Sequence, residues 1–447
     1  MATVVLGRPA ADSIAINIRP STSLEGFIEY GKENLSSSQR TAKQSFPAQA
    51  STSVELRGLE ANSRYVYRLN YQDTKNDTFK QGPEYSFHTQ RSPGSTFSFQ
   101  VQGDSHPERN PKQNLPAMYE QTLLAVAADR PDFYLAMGDD FSVDTLNDVS
   151  PASVEQVYLQ QLPYLGLAAH SSPIFLVNGN HEQAAKYLLD GTPDNVAIWA
   201  QNSRNRHFPQ PAPDDFYGGN PEPVEHIGLL RNYYAWTWGD ALFVVIDPYW
   251  HSEVPVDGAF QSRGKSRESW KKTLGDTQYR WLAETLEQSQ ASFKFVFAHH
   301  VSGGGRGGAK LAGLYEWGGH NQKGQWEFDR YRPGWKLPIH PLMAKNGVTI
   351  FFQGHDHVFA TEKLDGVVYQ TLPEPADPNY ALYFEEAFAG TVLPNSGRVR
   401  VTVSPDKVDV EYVATVLPSD ENTARQDGAV LHRYSIPARS GKTGTMP

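Results

Sequence analysis

The sequence predicts a two-part α/β protein, an all-β sandwich over residues 1–90 followed by a larger domain over 91–447 in which strands and helices alternate. Three observations carry this. A length of 447 residues exceeds that of one ordinary domain. The first 90 positions hold short strand patterns with no stretch of helical period. Beyond them, strand patterns alternate with helix patterns, and several strands end in Gly followed by Asp, Asn or His.

In the first part, 3–6, 13–18, 26–30, 53–56, 64–71 and 84–89 read as strands between turn residues. The segment LEANSRYVYRL, residues 59–69, resembles the tyrosine-corner segment of fibronectin type III domains. Residues 90–95, QRSPGS, form a polar linker with Pro and Gly. Next come strand 96–101, helix 116–128, strand 133–137, helix 153–167, strand 174–177 and a hairpin over 233–247. Helix 277–289 places Trp281, Leu282 and Leu286 on one face. Strand 293–297, helix 338–345, strand 348–352 and a closing hairpin with a Pro-Asp turn, GRVRVTVSPDKVDVEYV, follow. Two stretches without period, 183–232 and 302–335, exceed ordinary loop length and are candidate functional loops.

Composition narrows the chemistry. Hydrophobic residues at 39% and charged residues at 20% describe a globular chain. Fifty acidic against 40 basic side chains give a net charge of −10, which disfavours a nuclease of long polymers. With no cysteine, disulfides, thiolate metal sites and thiol nucleophiles are excluded, so any metal sits on nitrogen and oxygen. No apolar run approaches the ~20 residues of a membrane span, and MATVVLGRP lacks the basic-then-apolar order of a signal peptide. A periplasmic or secreted mature form is favoured over a cytoplasmic protein.

Five strand ends carry metal-binding residue types: Gly103-Asp104-Ser105-His106, Gly138-Asp139-Asp140, Gly179-Asn180-His181-Glu182, Ala298-His299-His300 and Gly354-His355-Asp356-His357. Glycine lets the backbone turn sharply, so short side chains can converge on one point. In this order, D-x-H, GD, GNHE, a strand-terminal His and GHxH resemble the calcineurin-like metallophosphoesterase superfamily over about residues 96–447. The resemblance implies a four-layer αββα sandwich. With the preceding β domain, the architecture is similar to that of purple acid phosphatases. It also implies two transition-metal ions, one on Asp104, His106 and His357 and the other on Asn180, His299 and His355, with Asp139 as the bridge. His and carboxylate ligands suit Zn, Mn or Fe better than Ca or Mg.

The same resemblance leaves His181 off the ions, free to stabilise the transition state or protonate the leaving oxygen. A merely packed histidine is the alternative. Glu182 either orients His181 or caps the following helix. In some relatives an Asp three places after the bridging Asp orients this histidine. Here that position is Ser142, and Asp140 and Asp144 are the candidates to replace it. Ser142 also stands where purple acid phosphatases carry a Tyr ligand, while His106 fills a position they leave without His, so a coloured tyrosinate–iron centre is not expected.

Arg306, among glycines just after the His299 strand, is expected to clamp a phosphoryl oxygen. His300 is expected to line the substrate pocket. Trp317, Trp326 and Trp335 either face an organic leaving group or anchor the loop in its own small core. Arg204, Arg206 and His207 read as solvated surface. The expected activity is hydrolysis of a small phosphoester by a hydroxide held between two ions, with diesters favoured by His106 and the aromatic rim. The alternatives are a phosphomonoesterase and a non-catalytic cell-surface binding protein with a relic metal site.

Overall fold

The computed structural model of the protein describes residues 2–73, 78–182, 185–257, 268–303 and 305–439. The expected loop starts at Gln183, which lies outside the described residues, as does Gly304. Strands Ala2–Gly7, Ser13–Pro20 and Thr52–Arg57 form one sheet of the N-terminal region. Leu24–Lys32 and Arg64–Asp73 centre the other, and Tyr85–His88 with three strands of two or three residues, too short to alternate, complete it. In Thr52–Arg57, Val54 and Leu56 point into the sandwich while Ser53, Glu55 and Arg57 point out. The tyrosine corner forms: the Tyr65 hydroxyl accepts the Glu60 N–H at 2.9 Å.

The second region packs two mixed sheets face to face. In the first, Phe97–Gln102, Phe133–Ala136 and Ile174–Leu176 run parallel. In the second, Ala241–Val245, Phe293–Phe297, Ile350–Gln353 and Val367–Thr371 run parallel. Strand alternation explains the layers. Phe97, Phe99 and Val101 point between the sheets, where they meet Phe243, Phe295, Phe297 and Phe352. Gln102, facing the other way, donates to Asp140 at 2.8 Å. Helices Pro116–Asp129 and Pro151–Ala169 cover one sheet with Leu123, Val126, Tyr158, Leu162 and Leu165. Asp276–Gln288 and Ile339–Lys345 cover the other with Leu282, Leu286, Leu342 and Met343. Helix Pro151–Ala169 starts at a reciprocal cap, in which Ser150 and Ser153 each accept the other's backbone N–H at 3.2 and 2.9 Å. The result is the αββα sandwich, with an additional all-β region before it.

The linker is tied down on both sides. Arg91 holds Asp132 bidentately at 2.7 and 2.8 Å, and the Gly94 N–H reaches Asp240 at 2.8 Å. The stretch expected to lack period contains helix Val196–His207, which also joins the two regions. This corrects the reading of Arg204 and His207 as solvated surface. Arg204 is buried, donating to the carbonyls of Leu176 and Arg231, and His207 is buried between Ser51 and Glu155. Arg206 stays exposed, its carbonyl accepting from Asn17. Among the described residues no helix is long and apolar enough to cross a membrane.

Candidate metal centre

Each of the five motif ends follows the carboxyl end of a parallel strand, and the two sheets bring all five together. The turns interlock at glycine. A Cβ on Gly179 would lie 2.3 Å from Asp139 Oδ1, and one on Gly354 would lie 2.3 Å from Asp104 Oδ1. Four expected ligands occupy the left-handed region, with φ of 41° at His106, 57° at Asp139, 67° at His355 and 54° at His357. Each such residue costs about 1–3 kcal/mol and persists only where its surroundings impose it, a pattern that concentrates at functional sites.

All seven expected ligands, Asp104, His106, Asp139, Asn180, His299, His355 and His357, are buried. Asp104 Oδ2 lies 3.1 Å from His357 Nε2, 3.6 Å from His106 Nε2 and 3.8 Å from His299 Nε2. Asp139 Oδ2 lies 3.0 Å from His299 Nε2 and 3.7 Å from His106 Nε2, so it faces members of both expected ligand sets. Ligands bound at about 2.0–2.2 Å to one ion and adjacent around it stand about 3.0–3.6 Å apart. Asp104 Oδ2, Asn180 Oδ1, His299 Nε2 and His355 Nε2 are buried with no aligned hydrogen bond. Buried polar atoms without partners are costly, and an ion would satisfy these four. The donor set therefore fits metal.

The remaining ring nitrogens fix the tautomers of His299 and His106. His299 Nδ1 lies 2.7 Å from the Met137 carbonyl, His106 Nδ1 2.8 Å from Glu108 and His357 Nδ1 3.0 Å from Glu374. Carbonyls and carboxylates accept, so the Nδ1 of His299 and that of His106 donate and leave Nε2 facing the centre, while His357 Nδ1 stands between the Glu374 carboxylate and the Arg109 guanidinium, a donor 3.4 Å away. Asn180 Nδ2 donates to the Asp257 carbonyl at 2.9 Å, turning its oxygen inward. Sequence reasoning missed Glu108 and Glu374. The strand-end rule could have found Glu374, which follows the parallel strand Val367–Thr371.

His181 stands at the mouth, its side chain 17% exposed. Its Nε2 is 3.8 Å from Asp139 Oδ2 and its Nδ1 is 2.7 Å from Asp144 Oδ1. Burial favours the neutral ring, and the carboxylates of Asp139 and Asp144 outweigh it, raising the pKa to about 9. Asp144 thus holds the place left by Ser142. Asp140 does not, since its carboxylate accepts from Gln102 and Ser105, away from His181. Glu182 takes neither expected role: it accepts backbone N–H groups of Gly179, Asp140 and Phe141 and so locks two ligand turns together.

The expected substrate contacts are differently placed. Both ring nitrogens of His300 are engaged, Nδ1 with the Tyr249 hydroxyl at 2.7 Å and Nε2 with Asp257 at 3.0 Å, while its face stacks on His355 at 4.3 Å. Arg306 reaches the rim, but one guanidinium nitrogen donates to the His355 carbonyl and lies 3.5 Å from Asp356. Trp317 and Trp335 anchor the loop, while Trp326 stays half exposed. Trp317 is fully buried, Trp335 stacks on Tyr279 at 3.8 Å, and Trp326 bonds to Asp329 within the loop.

A sequence profile described as calcineurin-like phosphoesterase matches residues 98–359. No curated protein sequence matches the chain. Among solved structures, PhoD is similar with a TM-score of 0.67 at 16% identity, covering 98% of this chain and 90% of that one. A purple acid phosphatase from yellow lupin (Lupinus luteus) seeds is similar with a TM-score of 0.61 at 15% identity, covering 97% and 74%. At such identities the likeness concerns the fold.

Proposed function

The chain belongs to the calcineurin-like phosphoesterase family, and from that premise we propose that residues 91–447 hydrolyse a small phosphoester at a two-metal centre, with residues 1–90 as a bound scaffold domain. The observation that carries this is the convergence of four buried, unpartnered ligand atoms from both sheets. Asp104, His106 and His357 would hold one ion, Asn180, His299 and His355 the other, and Asp139 both. Bound ions of the Zn, Mn or Fe type would activate a water and neutralise charge on the phosphoryl oxygens. His181, held by Asp144, presents Nε2 to the leaving oxygen and gives it a proton. Glu182 keeps the Asp139 and Asn180 turns in register.

Diesters are favoured over monoesters. Each rim arginine already faces a carboxylate, Arg306 that of Asp356 and Arg109 that of Glu108 at 3.5 Å. That suits the single charge of a diester better than the second charge a monoester carries near neutral pH. The test is metal analysis of the purified protein, then turnover of nitrophenyl phosphate against bis-nitrophenyl phosphate before and after chelation. Metal-dependent turnover with the diester ahead is expected. Faster monoester turnover would reverse the preference, and chelator-resistant turnover would remove the metal assignment.

A further inference from the structure

The organic part of the substrate still lacks a seat, because Trp317 and Trp335 are packed into the loop and Trp326, 50% exposed, is tied to Asp329 within it. A different aromatic element overlooks the centre. Residues 382–384 are Leu, Tyr and Phe, with Leu382 42% and Phe384 38% exposed. Neighbouring large apolar groups in water are unfavourable unless something covers them. This ridge lies against the His355–His357 turn. The Tyr383 ring meets that of His357 edge-on with centroids 6.3 Å apart. Phe384 lies 4.1 Å beneath the guanidinium of Arg306, which in turn bonds the His355 carbonyl.

On the Tyr383 side, Glu108, Arg109, Lys112, Gln113 and Tyr383 line one groove. Glu108, which lines it, is also the carboxylate that holds the expected ligand His106, so the groove adjoins the centre. Arg109 lies 2.8 Å from Gln113 and 3.4 Å from His357 Nδ1. The walls are tied to each other and to the ligands. Asn379 donates to the Lys112 carbonyl, Asp377 accepts the Asn379 N–H at 2.9 Å, and Asn395 donates to the His357 carbonyl at 2.9 Å. A groove fixed in this way needs little rearrangement to accept a ligand. The Glu108–Arg109 pair balances charge beside His106, and Lys112 on the rim is exposed and keeps its ammonium in water, which favours a neutral group over a second anion at the Arg109 end.

We infer that this groove seats the ester arm that is not the leaving group, and that it takes a neutral planar aromatic ring laid against Tyr383 beside Arg109. The inference rests on the diesterase reading. The ring stacks on an aromatic face while the guanidinium adds a cation–π or stacking contact. Tyr383 is thereby a specificity-determining residue for this site.

The experiment compares bis-nitrophenyl phosphate with methyl nitrophenyl phosphate, which share a leaving group and differ in the retained arm. In Tyr383→Ala the ratio of kcat/KM, aryl arm to methyl arm, should fall about 3- to 10-fold. Tyr383→Phe should keep that ratio within about twofold, and Tyr383→Leu serves if the alanine variant does not fold. An unchanged ratio in Tyr383→Ala or Tyr383→Leu overturns the inference while leaving the phosphoesterase reading intact. If neither diester is turned over, the diesterase reading fails, and calorimetric titration of the zinc-loaded protein with diphenyl phosphate and dimethyl phosphate decides the groove separately. Selective weakening of diphenyl phosphate by Tyr383→Ala supports it, and equal affinities in both proteins overturn it.

Discussion

The five strand-end turns and the 302–335 loop both concentrate chemically capable residues, yet their local bonding differs. In the turns, five buried polar atoms, one on each of four expected ligands and Asp140 Oδ2, make no hydrogen bond, and four non-glycine positions sit in the left-handed region. Among its described residues the loop holds one such position, Tyr315 with φ 46°, and their buried polar side-chain atoms all have hydrogen bonds. The indole N–H groups of Trp317, Trp326 and Trp335 meet Ser302 at 3.3 Å, Asp329 at 2.7 Å and Asp276 at 2.7 Å. Residue type alone therefore marks a candidate. Unmet hydrogen bonding and imposed strain mark the place where a ligand is still required.

The sharpest way to break that comparison is to remove the residue facing both ligand sets. Asp139→Asn should lower turnover by more than about 100-fold, the upper range for mere supporting partners, and release at least one ion. Full metal content with near-native turnover would mean that the unpartnered atoms are not ligands. His181→Ala should reduce kcat about 10²–10⁴-fold with metal content intact, and less for a nitrophenyl than for an alkyl leaving group. Equal losses for the two leaving groups would argue against proton donation. Asp144→Ala should act through His181, lowering kcat about 10- to 100-fold with the same leaving-group bias. A rise in KM alone would detach Asp144 from that role.

How far the sequence could be read follows the same physical line. The ligand turns were legible because Gly, Asp, Asn and His stand in fixed order behind strands of period two. The groups holding the ring nitrogens were harder to see. Asp144 was one of two candidates, and only the 2.7 Å contact separates it from Asp140. Glu374 reaches His357 from the next strand end, a pairing set by sheet order and absent from any local motif. Helix Val196–His207 escaped because it carries no apolar stripe along its length. Its buried Gln201, Ser203, Arg204 and His207 sit where the pattern would call for apolar residues, and Arg204 is satisfied by carbonyls distant in sequence. In the sandwich, plain alternation sufficed, and only strands of two or three residues went unread.

Arg306 sharpens the comparison, since it begins in the loop and ends on a ligand turn. As a clamp on substrate its removal would raise KM alone, or lower kcat and kcat/KM together if it meets charge growing in the transition state, and in either case leave metal affinity unchanged. Its bond to the His355 carbonyl and its approach to Asp356 instead make it a support of the His355–His357 turn. Arg306→Ala should therefore loosen metal by about 10-fold and lower kcat/KM correspondingly, read by competition with a chelator and by turnover at saturating metal. Retained metal affinity with a raised KM or a lowered kcat would restore the clamp.

The smallest expected effect on activity lies deepest in the loop. Trp317 is fully buried against Phe351, with ring centroids 5.0 Å apart, and its indole N–H reaches Ser302. Phe351 belongs to the strand that leads to His355, so the contact joins the loop core to the strand without touching the centre. Trp317→Ala should cost about 3–5 kcal/mol of stability through the cavity left behind, visible as a lower denaturation midpoint. Below that midpoint, the ratio of kcat/KM between aryl-arm and methyl-arm diesters should stay within about twofold of the parent protein, because the ring meets protein and not substrate. A changed ratio in a folded, metal-replete Trp317→Ala protein would return the loop to the substrate and erase the distinction between the two regions.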